Sequence, residues 1–259
     1  LVSCATACRN HTRLPMHALF KFRLPVAVTK QLIANLEGLS ATPLTHEALV
    51  SLKEFQVEND VQSGVYVLYL AEKAVYAGKA DDVVERLQQH LKKVRGRLIL
   101  ADQDVRYKAL VLDENWSTSA NEGLLIAHYE EKGESAWNGV GFGPKDVGKR
   151  RDGSEPSWFD KEYPINTMWT IHSLEDRATL REVLAAMKAQ LPYLLRYELD
   201  AEDLDRMLDL ANVERTTHGL ASYVARILGS EYQVMIFHSH LTVYKARQVY
   251  EFGSQLPVM

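Results

Sequence analysis

The run from Gly64 to His90 leaves this chain few ways to fold. Gly64-Val-Tyr-Val-Leu-Tyr-Leu70 and Ala74-Val-Tyr-Ala-Gly-Lys-Ala80 are rich in Val, Tyr and Leu and are separated by the short polar break Glu72-Lys73. Two such runs joined by a turn-sized gap predict a β-hairpin. The pattern then changes period: Val83, Val84, Leu87, Leu91 and Val94 recur at helical spacing, with Asp81 or Asp82 placed to cap the helix start. A hairpin running directly into a capped amphipathic helix implies a small antiparallel sheet with a helix packed on it.

The same run carries polar groups in register with that scaffold. Tyr66 and Tyr76 fall one per strand, Gly78 permits close backbone approach, and Lys79 follows at once. Arg86 and His90 are an i,i+4 pair on one stripe of the helix, which Lys93 and Arg97 extend. Such a set suits an anion or phosphate site. The formal net charge of −4 does not advertise a nucleic-acid binder, so charge distribution is the better guide. From Lys79 to Arg97 the cations Lys79, Arg86, Lys92, Lys93, Arg95 and Arg97 face only Asp81, Asp82 and Glu85, whereas Arg196 to Arg215 is acidic.

Downstream, Val105 to Leu112 predicts a third strand and Ala120 to Lys132 a helix with Glu122 near its start. The segment from Trp137-Asn138 to Asp152-Gly153 is glycine-rich and contains Lys145, Lys149, Arg150 and Arg151. Backbone amides and cations in such a loop suit contact with phosphates.

Taken together, these short motifs resemble the GIY-YIG nuclease superfamily. Gly64-Val65-Tyr66 and Tyr76-Ala77-Gly78 stand where its two tripeptides belong, with Val and Ala replacing Ile. Arg86 and His90 match the arginine and histidine of the following helix, Glu122 the metal-holding glutamate, and Asn138 the closing asparagine. The Trp-Asn and Gly-Phe-Gly pattern, with Gly-Lys-Ala after Tyr76, looks most like the type II restriction endonuclease branch. The resemblance spans Gly64 to Arg151. It implies a metal-dependent endonuclease acting on double-stranded DNA, with Mg²⁺ or Mn²⁺ on Glu122, Arg86 on a phosphate oxygen, Tyr66 as base and Tyr76 orienting water or phosphate. His90 is the alternative proton acceptor, Lys79 would lower a tyrosine pKa, and Asn138 would position the loop or the phosphate. Lys92, Lys93, Arg97, Lys145, Lys149, Arg150 and Arg151 would bind DNA. Restriction or phage defence is the leading role, alongside a cognate methyltransferase or other defence component; a homodimer would suit a palindromic site. A repair or structure-specific nuclease and an inactive DNA-binding module are the competing readings.

The expected architecture is α+β: a small three-stranded antiparallel sheet flanked by helices over residues 61–165, preceded by an N-terminal helical extension at 16–60. A mainly helical region at 166–259 is expected to serve recognition, dimerisation or partner binding. In the extension, Pro25 to Leu36 and Thr45 to Phe55 predict helices. In the last region, Leu174 to Leu191, Ala201 to Val213 and Leu220 to Leu228 do so, with strand-like texture from Tyr232 onward. His238-Ser-His240 reads as structural. Residues 1–15 read as a non-native or disordered leader, with Met16 as the natural start. Both cysteines, Cys4 and Cys8, lie there, so neither a disulfide framework nor a Cys/His zinc site is supported. No run reaches the length of a membrane span, and the chain reads as cytoplasmic.

Overall fold

The structure, a computed structural model, describes residues 24–100, 103–113, 119–143, 148–245 and 248–258. The expected leader 1–15 and Lys145 lie outside these residues.

The hairpin forms as expected, from β2 (Gly64–Leu70) and β3 (Lys73–Ala80). Ala71 and Glu72 turn the chain with positive φ. Strand β4 (Val105–Val111) pairs antiparallel on the other side of β2. The sheet nonetheless has four strands, in the order β1-β4-β2-β3, because Thr42–Pro43 (β1) adds to the outer edge of β4. Two residues, one of them proline, carry no periodicity, so this fourth strand leaves no signal in the sequence.

Both faces of this sheet are covered. Tyr66 and Leu68 of β2 pack toward α2 (His46–Glu58) and α3 (Val83–Arg95), while Val65 and Val67 pack toward α1 (Leu24–Gly38) and α4 (Ser119–Glu131). This explains why the first five residues of β2 are all buried rather than alternating. Local chemistry sets the helix starts. Thr45 accepts from the Ala48 amide and Asp82 from the Glu85 amide, each satisfying an otherwise unpaired N–H.

Two glycines of the hairpin are required by packing. A Cβ on Gly64 would lie 2.3 Å from the Leu110 carbonyl oxygen of β4. One on Gly78 would lie 2.8 Å from Oη and 3.0 Å from Cζ of Tyr66, its cross-strand neighbour. Gly78→Ala is therefore expected to cost about 1–3 kcal/mol of stability through overpacking, read as a lower urea midpoint at unchanged slope.

The C-terminal region corrects the mainly helical expectation. Its centre is a second four-stranded sheet, in the order β10-β8-β9-β6, made of β6 (Leu194–Glu198), β8 (Gln233–Ile236), β9 (His240–Tyr244) and β10 (Ser254–Gln255). Strands β6 and β9 run parallel and the other pairs antiparallel. Helices α6 (Leu180–Gln190) and α8 (Thr217–Leu228) bury Leu180, Val183, Leu184, Leu220 and Val224 in its core. The helix expected over Ala201 to Val213 is only α7 (Ala201–Leu204), followed by strand β7 (Met207–Asp209) paired with β5 (Arg177–Thr179). Leu208 and Leu210 are buried while Met207 and Asp209 are exposed, a period of two. Likewise the helix expected from Leu174 begins at Leu180, because Thr179 and Glu182 form a reciprocal capping box.

The two halves meet along the segment after α3. Leu98 donates its amide to the Pro164 carbonyl, Asn166 to that of Gly96, and Ile165 to that of His238. Among the described residues no helix is long and apolar enough to cross a membrane.

Candidate active site

Strand β3 is the edge of the first sheet, and here α3 on one face and α4 on the other come to the same opening. A cleft of about 560 Å³ is lined by Tyr66, Tyr76, Lys79, Arg86, Glu122 and Asn138, together with Gly139, Gly141 and Gly143. Six of the seven side chains expected to take part in chemistry thus share one cavity. The seventh, His90, lies directly behind it.

Burial divides these groups into two layers. Tyr66 is 1% exposed and His90 fully buried, with Tyr66 Oη 2.8 Å from His90 Nε2. Tyr76 is half-buried, its ring 6.1 Å from that of Tyr66 and 5.1 Å from that of His90. Desolvation pushes Tyr66 and Tyr76 above the ordinary tyrosine range, and the nearby Arg86 guanidinium only partly opposes this. The cation that opposes burial here is Arg86 rather than the expected Lys79, and removal from water outweighs it. Desolvation, aided by the charges of Arg86 and Lys93, lowers His90 to about 3. The resting site holds a neutral tyrosine hydrogen-bonded to a neutral imidazole.

That imidazole makes a pH prediction. An unfolded histidine takes up its proton near pH 6.5, the folded one only near 3. Across that window the unfolded state binds the extra proton, so stability falls as pH falls, by at most about 1.4 kcal/mol per pH unit from this group. A His90→Gln variant should lose this component, seen as a shallower decline of urea midpoint with acidification than in the wild type.

Arg86 and Glu122 are half-buried at the cleft, on α3 and on the first turn of α4. Arg86 Nη1 bonds Gln89 Oε1 at 3.2 Å and, among the described residues, has no carboxylate partner. Asn138 does not point its amide at an incoming group. It accepts from the Ala77 amide at 2.9 Å and donates to the Ala77 carbonyl at 2.8 Å, pairing with β3 as a strand residue would. Its contribution is to tie the glycine loop to the strand that carries Tyr76.

The loop is also held by two aromatic residues of the Trp-Asn and Gly-Phe-Gly motifs, to which sequence reasoning assigned no packing role. Phe142, fully buried, stacks on His90 with ring centroids 4.8 Å apart and an interplanar angle of 10°. Trp137 packs beside it at 4.7 Å. The signal was present in the Gly-Phe-Gly triplet, where an aromatic residue between glycines is an anchor. Gly141, at φ +102°, passes so close to Ser157 that a Cβ would overlap its hydroxyl.

The residues expected along the DNA path separate. Lys92 is exposed on α3. Lys93 donates to the carbonyls of Gly141 and Gly143 at 2.9 and 2.8 Å, clamping the loop. Arg97 is 4% exposed and pairs with Asp160 at 2.9 Å while donating to the Tyr163 carbonyl. Its place is in the seam between the halves. Lys149 pairs with Glu198 of β6 and lies over the Tyr244 ring. Arg150 and Arg151 are exposed beside it. The turn they occupy is fastened by Asp152, whose buried carboxylate is held by Arg196, by His240 at 2.9 Å and by the Tyr244 hydroxyl at 3.0 Å. His240 thus has a structural role, as the sequence had suggested.

No group of three or more His, Cys, Asp or Glu side chains arranged to hold a metal ion occurs among the described residues. Among the described residues the one carboxylate lining the cleft is that of Glu122. That chemistry fits Mg²⁺ or Mn²⁺, hard ions that take oxygen donors; Mg²⁺ keeps much of its hydration shell and is commonly held by one or two carboxylates plus substrate phosphate. A scan against protein-family models finds no match for the chain, and a search of curated proteins finds none.

Proposed function

We propose that the protein is a metal-dependent endonuclease that hydrolyses phosphodiester bonds in duplex DNA, of the GIY-YIG kind and acting in cytoplasmic restriction or phage defence. The supporting observation is the single cleft that gathers Tyr66, Tyr76, Lys79, Arg86 and Glu122, with His90 hydrogen-bonded to Tyr66 behind it.

In this reading Arg86 grips a non-bridging phosphate oxygen through two parallel N–H bonds, and Lys79 adds a second positive charge beside it. Glu122 would hold Mg²⁺ or Mn²⁺, which supplies Lewis-acid neutralisation of charge on the phosphoryl oxygens. Tyr66 takes a proton from the attacking water as its own hydroxyl proton passes to His90 Nε2. The neutral resting pair suits this relay, since a bound phosphate brings negative charge that raises the basicity of the imidazole. Tyr76 orients the water, and Asn138 with Lys93 keeps the loop wall of the cleft in place.

The test is incubation of supercoiled plasmid with and without Mg²⁺, followed by sequencing of the ends. Discrete Mg²⁺-dependent fragments support the proposal. Cleavage confined to branched DNA points to repair, and a mobility shift without cleavage to a binding module.

A further inference from the structure

The loop that forms one wall of the cleft has a second side. Gly139 and Gly141 border both the cleft with Glu122 and another cavity of about 560 Å³, which opens between the two halves of the molecule. Its lining includes Arg151, Trp158 and His238. The acids that reach it are already engaged: Asp160 pairs with Arg97, and Glu155 with Lys161. Arg151, by contrast, is exposed and has no carboxylate partner among the described residues. Trp158 leaves 46% of its surface open, which is unusual for the largest apolar side chain, while its neighbour Phe159 is fully buried. A free guanidinium and an open indole lining one cavity are the pair of groups that nucleic acid rewards, one for phosphate and one for the flat faces of sugar and base.

We propose that this seam cavity is a second DNA contact, which takes the strand continuing past the Gly139–Gly141 wall from the cleft. Arg151 meets a backbone phosphate and Trp158 lies against the adjoining nucleotide. His238, from the C-terminal sheet region, closes the far side, so the C-terminal half takes part in holding the substrate. The inference rests on the nuclease reading of the cleft, yet the two fail separately.

The experiment measures binding of a labelled random-sequence duplex by fluorescence anisotropy across a salt series, on the full chain carrying Glu122→Ala so that nothing is cut. Arg151→Ala should weaken binding about tenfold and reduce the salt slope by about one. Trp158→Ala should weaken it by a similar factor, with Trp158→Phe recovering most of the loss, while Arg181→Ala, a surface control paired with Asp205, changes nothing. Unchanged affinity and slope in both Arg151→Ala and Trp158→Ala overturn the seam contact; Mg²⁺-dependent cleavage by the wild type then leaves the nuclease reading standing. The two variants losing affinity while the wild type never cuts retains a DNA contact but sinks the nuclease. Absence of any DNA binding overturns both.

Discussion

Changing Glu122 to alanine is expected to abolish Mg²⁺-dependent cleavage of duplex DNA and to leave DNA binding largely intact. Removal of one preorganised group that meets developing charge typically costs about two to three orders of magnitude in rate. Here the loss should be greater, because among the described residues no second carboxylate lines the cleft to share the metal. Binding should persist because affinity for duplex DNA comes mostly from cations on phosphates, and Arg86, Lys79 and Arg151 are untouched. Glu122 also sits in the first turn of α4, where a carboxylate favours the helix by about 0.3–1 kcal/mol. Thermal unfolding of Glu122→Ala alongside Glu122→Gln separates that effect from chemistry. Full cleavage by either variant would remove Glu122 from the mechanism.

The second large effect concerns Arg97, and its direction differs from what its position in a basic stripe implies. Arg97→Ala is expected to destabilise the fold by about 3–5 kcal/mol, since it strands the Asp160 carboxylate in the seam without a counter-charge. The carbonyl of Tyr163 loses a donor at the same time. Pairing Arg97→Met with Asp160→Asn should recover much of the loss, because a broken buried pair costs more than an absent one. The measurement is the urea midpoint of each variant. A normal midpoint combined with a reduced salt slope of DNA binding would make Arg97 a phosphate ligand after all.

Arg97 also illustrates what could be read in advance. A cation just past a helix that ends in Lys92, Lys93 and Arg95 looks solvated, and its partner Asp160 lies too far along the chain to be suspected. The hairpin and α3 were legible because their apolar residues keep a strict period and a capping aspartate marks the change from one period to the other. Arg86 came into view from its helical spacing with His90 and Glu122 by resemblance, and the geometry brings them to one cleft. The basic loop was misjudged in a different way: its cations were visible, but the buried carboxylate of Asp152 that turns Lys149 toward the C-terminal sheet was not. Parallel pairing of β6 with β9 left no local trace, since strands that meet across more than forty residues of intervening chain are joined by tertiary contacts alone. For the segment over Ala201 to Val213, the alternation at Met207 to Leu210 was the better guide than its acidic, helix-favouring composition.

Among the described residues, the first sheet is covered along part of each border. Beyond β3, Ser135 and Trp137 donate their amides to Ala74 and Val75, and Asn138 occupies both polar groups of Ala77. Beyond β4 lies the short β1, ending in Pro43. Blocked rims of this sort resist strand addition. If two copies join on a palindromic site as proposed, the covered stretches disfavour one continuous eight-stranded sheet and favour a junction through helices or through the C-terminal half.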